Sequence, residues 1–221
     1  MKDNRCVLIK GDKITVSGID YIVDNVIGRG ASCICYKAYT KEAAMSEGKP
    51  EIETWKVIKE FYPVNIAIRD NFMKVVSTSD DLTAWEKAKK RWRESIDKGR
   101  ELQAKDGNDF MEIEVADDSY SVMRLRRGMT LEEWVRGNFY SAQNDNSDDE
   151  EDRTQYVDKC LDILRDLCAC IEKYQDAGII HLDVKPENIY ILDDNNNKRI
   201  VRLIDYDWLM NKDEFYKNAS G

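Results

Sequence analysis

Residues 181–188 read His-Leu-Asp-Val-Lys-Pro-Glu-Asn, so a carboxylate (Asp183), an ammonium (Lys185) and an amide (Asn188) fall within six positions. A second acid, Asp205, follows 22 residues after Asp183 in the run Leu203-Ile204-Asp205-Tyr206-Asp207. Two acids and an amide on neighbouring strand ends are what a magnesium–nucleotide site needs. Mg²⁺ takes hard oxygen ligands and binds through one or two carboxylates plus phosphates. A nearby aspartate can receive a hydroxyl proton, and a nearby lysine can neutralise a phosphoryl group in flight.

Such groups need elements to hold them. The apolar runs at 189–192 and 200–204 read as short strands on either side of the interval between the two acids. Before the octet, 154–176 reads as a helix with Tyr156, Cys160, Ile163, Leu164, Leu167 and Ile171 on one side. Near the start, 6–36 alternates apolar runs with glycine turns, and 33–39 and Trp55 to Phe61 continue as strands. Residues 81–105 read as a helix in which Trp85, Ala88, Trp92 and Ile96 follow three-to-four spacing. Phe110 to Ala116 and Tyr120 to Leu125 read as strands joined at Asp117-Asp118-Ser119. Thr130 with Glu133 fits a capping box at a short helix. Residues 40–53 read as a polar loop, 64–80 show no period, and the acidic stretch 141–153 reads as a disordered surface loop. The expected architecture is α+β in two lobes with a cleft between them. A β-rich block with one long helix spans 1–125, and a mainly helical block spans 126–221.

The octet HLDVKPEN resembles the catalytic loop of protein kinases, of the eukaryotic-like Ser/Thr type found in bacteria. The resemblance implies that Asp183 is the catalytic base, that Lys185 contacts the γ-phosphate, and that Asn188 and Asp205 hold the metal. Residues 27–38 (IGRGASCICYKA) resemble the glycine-rich loop over the ATP phosphates, with Gly28 and Gly30 approached by phosphate oxygens and Cys35 covering the adenine. Trp55-Lys56-Val57-Ile58-Lys59 resembles the lysine strand. Lys59 would contact the α- and β-phosphates, and Val57 and Tyr190 would pack on opposite faces of the adenine. Lys59 should pair with a glutamate of the helix at 81–105, Glu94 first and Glu101 second. Met123 falls at the gatekeeper position, and backbone groups of Arg124, Leu125 and Arg126 would bind the adenine edge.

Three departures stand out. Leu182 occupies the position where many kinases carry an arginine that holds a phosphorylated activation loop. Asp207 replaces the glycine of the Asp-Phe-Gly motif, and Cys33 replaces the third glycine of the loop. The chain stops at Gly221, soon after Asp205, whereas a protein kinase continues well past this point. The resemblance therefore implies either a fragment or a minimal form whose second lobe is completed by a missing segment or a partner.

Composition narrows the function further. A net charge of −9 argues against a broad nucleic-acid-binding face. The basic run Lys87, Lys89, Lys90, Arg91, Arg93, Lys98 and Arg100 reads as a solvated helix face. Six cysteines without a Cys-x-x-Cys pair, and a single histidine, argue against zinc and for free thiols in a reducing cytoplasm. No stretch of 18 apolar residues spans a membrane. The leading expectation is a protein Ser/Thr kinase using ATP and Mg²⁺ on a protein hydroxyl. The alternatives are a pseudokinase or remnant that binds without turnover, and a small-molecule phosphotransferase.

Overall fold

The computed structural model describes residues 3–41, 54–80, 82–106, 112–144, 150–193 and 199–219. Most of the expected loop at 40–53 lies outside them. The described chain divides into two compact units. One holds the residues up to Gln103 together with Glu112–Leu125, and the other holds 104–106 and the residues from Arg126 onward.

In the first unit the strands are β1 (Lys13–Val16), β2 (Ile19–Arg29), β3 (Cys33–Thr40) and β4 (Trp55–Phe61). A small separate hairpin follows, β5 (Ala67–Arg69) and β6 (Val75–Ser77), then helix α1 (Thr83–Asp106). Strands β7 (Ile113–Ala116) and β8 (Tyr120–Arg124) complete an antiparallel sheet in the order β1-β2-β3-β4-β8-β7. Alternation along the strands sorts the two faces. Ile34, Tyr36 and Ala38 of β3, Ile58 of β4 and Val122 of β8 are buried on one face, against Leu8, Ile14, Tyr21 and Ala67. Each leucine, isoleucine or valine in this set contributes about 1.5–3 kcal/mol of burial. On the other face Phe61 meets Trp85 and Trp92 of α1, with ring centroids 5.1 and 5.7 Å apart.

The hairpin β5–β6 occupies the stretch without sequence period. Its strands are three residues long, too short to show alternation. Its turn is held by Asp70, whose Oδ1 accepts from the Phe72 and Lys74 amides at 2.8 Å each. The hairpin delivers Arg69 to the core-facing carboxylate of Glu60, which is fully buried. Arg69 donates to both carboxylate oxygens, at 3.0 and 2.6 Å. The hydroxyls of Tyr36 and Tyr120 donate to Glu60 at 2.9 and 3.0 Å. Burial with the Glu60 charge alongside pushes both phenols above the usual tyrosine range.

The second unit opens on β9 (Gly128–Thr130), followed by α2 (Leu131–Asn144) and α3 (Glu150–Asp176). Thr130 and Glu133 form the expected capping box: the Thr130 amide donates to the Glu133 carboxylate at 2.8 Å, and the Glu133 amide donates to the Thr130 hydroxyl at 3.1 Å. The expected disordered loop at 141–153 is corrected. Helix α2 runs through Asn144 and α3 starts at Glu150, leaving 145–149 outside the described residues. The short strands β10 (Ile179–Ile180), β11 (Ile189–Asp193), β12 (Arg199–Leu203) and β13 (Met210–Asn211) follow, then α4 (Lys212–Ala219). They pair antiparallel as β12-β11-β9 and β10-β13. Along α3, Ile163, Cys170 and Tyr174 are buried. Leu164, expected beside Ile163, is instead 53% exposed with Val157 and Leu161, because one helical residue turns the side chain about 100°. Among the described residues no helix is long and apolar enough to cross a membrane.

Candidate active site

In the second unit, β10 and β11 bracket the octet. His181 is buried, and its Nε2 lies 3.1 Å from the Ile204 carbonyl, which ties the start of the octet to the residue before Asp205. Its ring meets Tyr174 edge-on at 5.7 Å. The other end is fixed by a 3₁₀ turn at Pro186–Asn188 and by the Ile204 amide, which donates to the Asn188 carbonyl at 2.9 Å.

Between these anchors the side chains converge on Asp183. Lys185 Nζ donates to Asp183 Oδ2 at 2.8 Å, and Asn188 Nδ2 donates to the same oxygen at 2.7 Å. Asn188 also donates to the Asp183 carbonyl at 2.9 Å. Asp183 Oδ1 accepts from no described residue. Asp183 and, more weakly, Asp205 hold the Lys185 ammonium above the usual lysine range. Asp205 sits at the end of β12 with φ 69°, and Leu182 has φ 55°. An aspartate tolerates the left-handed region, whereas a leucine is disfavoured there, so the surrounding contacts impose it at Leu182. The donor set suits a divalent cation. Asn188 turns its nitrogen to Asp183, so its Oδ1 would be the atom to meet a cation, and Asp205 would add a carboxylate. Among the described residues no group of three His, Cys, Asp or Glu is placed to hold a metal, so phosphate oxygens would have to complete the shell.

A cavity of about 270 Å³ lies on the opposite side of the octet, lined by Ile171, Tyr174, Ile179, Leu182, Val184 and Tyr216. Leu182 and Val184 face it, while Asp183 and Lys185 are not among its walls.

In the first unit the strand register gathers most of the expected nucleotide residues on one face. Gly28 pairs with Cys35, Cys35 with Lys59, Val57 with Met123, and Lys59 with Ser121. Cross-strand partners point to the same side, so Gly28, Cys35, Val57, Lys59 and Met123 share the face that also bears Phe61. Lys59 is 7% exposed. Gly30 closes the tip of the β2–β3 hairpin, its amide donating to the Cys33 carbonyl at 2.9 Å.

The sequence matches no protein-family model and no curated protein. Solved structures do match it. The apo form of PpkA-294 aligns over 90% of the chain with a TM-score of 0.61 and 19% identity. The BubR1 kinase domain aligns over 97% with a TM-score of 0.57 and 17% identity. The fold is that of a protein kinase. The chain spans 61% and 55% of those two structures.

Within this kinase fold, two expectations change. Glu94, expected against Lys59, lies on the exposed side of α1 and pairs with Lys90 at 3.7 Å. The buried stripe of α1 is Trp92, Ser95, Ile96 and Leu102, and it leaves Glu94 on the solvent side. The Leu125 amide already donates to the Trp55 carbonyl at 3.0 Å, so it is not open to an adenine edge. Tyr190 donates its hydroxyl to the Arg126 carbonyl at 3.2 Å.

The sequence reading missed Gly128. It has φ +150°, and a Cβ there would lie 2.2 Å from the Ile191 carbonyl oxygen. This glycine allows β9 to lie against β11, and the run Arg127-Gly128-Met129 carries no alternation that announces a strand.

Proposed function

We propose that the chain is the catalytic core of an ATP–Mg²⁺-dependent protein Ser/Thr kinase that phosphorylates a protein hydroxyl. The observation that carries this reading is the Asp183 carboxylate, with Oδ2 held by Lys185 and Asn188 and Oδ1 left open. A carboxylate fixed in this way can orient a hydroxyl and accept its proton through the open oxygen. Lys185, fully charged beside it, offsets negative charge on the phosphoryl group. Asn188 and Asp205 would hold the cation. Bound Mg²⁺–ATP supplies the electrophilic phosphoryl group and the counter-charge for its transfer. Lys59, with Gly28 and Gly30 on the same strand hairpin system, would steady the phosphates, and Cys35, Val57 and Met123 would cover the base. All six cysteines are free thiols, which supports a reducing, cytoplasmic setting.

Transfer of labelled phosphate from ATP to protein substrates, with Asp183→Asn as the control, tests the reading. Loss of the base should lower turnover roughly 10²–10⁴-fold. Equal signal from both proteins would overturn it. The exposed position of Glu94 favours one second reading, a nucleotide-binding module without turnover. Nucleotide binding without transfer in the unsubstituted chain would select that one.

A further inference from the structure

The guanidinium of Arg5 is completely engaged. Its Nε and Nη2 donate to the two carboxylate oxygens of Asp3 at 3.0 and 2.7 Å. Nη2 donates also to the Gly30 carbonyl at 2.8 Å. Nη1 donates to the carbonyls of Cys33, at 3.3 Å, and of Tyr62. An arginine has five N–H donors, and here every one has an acceptor. The side chain is 5% exposed, and the guanidinium lies 5.7 Å from the Tyr62 ring centroid. In return the Arg5 cation, through hydrogen bonds and charge, holds the Asp3 carboxyl well below the usual carboxylate range.

Gly30 and Cys33 are the two ends of the turn between β2 and β3. The other two carbonyls of that turn are also bound. Ala31 accepts from the Val64 amide at 2.9 Å, and Ser32 accepts from the Tyr62 amide at 3.0 Å. The amides of Ala31 and Ser32 have no acceptor among the described residues. A turn whose carbonyls are all engaged and whose amides are open offers an anion only positive ends of peptide dipoles. Without Arg5, the Gly30–Ala31 peptide loses the donor that holds its carbonyl and can turn to present an oxygen in place of the Ala31 amide, while the Cys33 carbonyl keeps its bond from the Gly30 amide.

We propose that Arg5 is a positioning residue of the nucleotide site: the N-terminal arm fixes the Gly30–Cys33 turn so that the Ala31 and Ser32 amides are available to a nucleotide's phosphates. The inference rests on the nucleotide-binding reading above. Arg5 acts on the phosphate end and not on the base, which separates it from a residue that merely stabilises the sheet.

The test is calorimetric titration of the full chain with Mg²⁺–ATP and, separately, with adenosine. Arg5→Ala should weaken ATP binding roughly tenfold, the loss of a charge-assisted hydrogen bond or two, and leave adenosine binding unchanged. Arg5→Lys keeps the charge but lacks the planar five-donor fork, so it should weaken ATP binding to a similar degree. Asp3→Ala, at the rim of the clasp, should shift ATP binding in the same direction by less, and it decides the matter if Arg5→Ala does not fold. Amide exchange at Tyr62 and Val64, which donate to the Ser32 and Ala31 carbonyls, should quicken in both alanine variants. An unchanged ratio of ATP to adenosine affinity in folded Arg5→Ala, or in Asp3→Ala where Arg5→Ala does not fold, overturns the role of Arg5 and leaves nucleotide binding intact. Absence of binding of either compound to the unsubstituted chain overturns the nucleotide reading and this inference with it.

Discussion

Asn188 donates its side-chain amide to the Asp183 carboxylate at 2.7 Å and to the Asp183 carbonyl at 2.9 Å, so one residue fixes both the rotamer and the backbone of the other. Removing that amide releases Asp183 without discharging it. Asn188→Ala is therefore expected to lower phosphate transfer through turnover and through Mg²⁺ dependence, with the melting temperature little changed. Steady-state rates over a magnesium titration check this. A rate loss that saturating magnesium fully restores would limit Asn188 to metal binding.

Lys185 is held above its ordinary value of 10.5 mainly by its hydrogen bond to Asp183. A base whose folded-state value is raised contributes stability below its unfolded value and loses that contribution as pH rises through the folded one. Lys185 is well exposed, so the effect on stability is small. Its titration is the direct readout. Carbon-detected NMR of the Lys185 side chain should show a midpoint above 10.5 that falls in Asp183→Asn. The same midpoint in both proteins would refute the coupling.

Glu60 and Arg69 are each about 1% exposed in their side chains. Arg69→Met leaves a buried carboxylate without its cation, which should cost about 3–5 kcal/mol in urea denaturation. Replacing both, Glu60→Leu with Arg69→Met, should recover most of that loss. A single-variant cost under about 1 kcal/mol, the range of surface pairs, would mean that water reaches the site.

Two glycines are expected to behave in opposite ways. A Cβ at Gly30 would meet nothing closer than 3.7 Å, and one at Gly28 nothing closer than 3.6 Å. Gly30→Ala should melt like the parent while binding ATP more weakly. Gly128→Ala drives a Cβ into the Ile191 carbonyl at 2.2 Å, so it should separate β9 from β11 and lower the melting temperature sharply. Equal melting temperatures for the two variants would contradict the β9–β11 packing.

Alkylation of native protein should mark Cys6 and Cys168 first, as both are exposed, and spare Cys33 and Cys170 until unfolding. Burial pushes the Cys170 thiol above its ordinary value, which adds a chemical barrier to the steric one. Peptide mass mapping over time reads the order, and early labelling of Cys170 would contradict it.

The strands that carry one face of core residues were legible because alternation survives over five or more positions, as in Cys33–Thr40. The octet was legible because its chemistry is local, and the donors to Asp183 lie two and five residues away. What escaped depends on pairs far apart in the chain. Arg69 finds Glu60 through a hairpin of three-residue strands, Gly128 is explained only by Ile191, and Arg5 reaches Gly30, Cys33 and Tyr62. Glu94 was misplaced because the family motif was weighed above the tryptophan stripe, from which a residue two positions after Trp92 is turned about 200°.

The Glu60 network has a kinetic consequence. Its partners come from 9, 24 and 60 positions away along the chain, the last of them on β8. Stripping water from the carboxylate before all three arrive is uphill. The network should therefore close after the rate-limiting step of folding, so that Arg69→Met speeds unfolding while barely slowing refolding. The lifetime of the native first unit is then governed by a salt bridge that plays no part in building it.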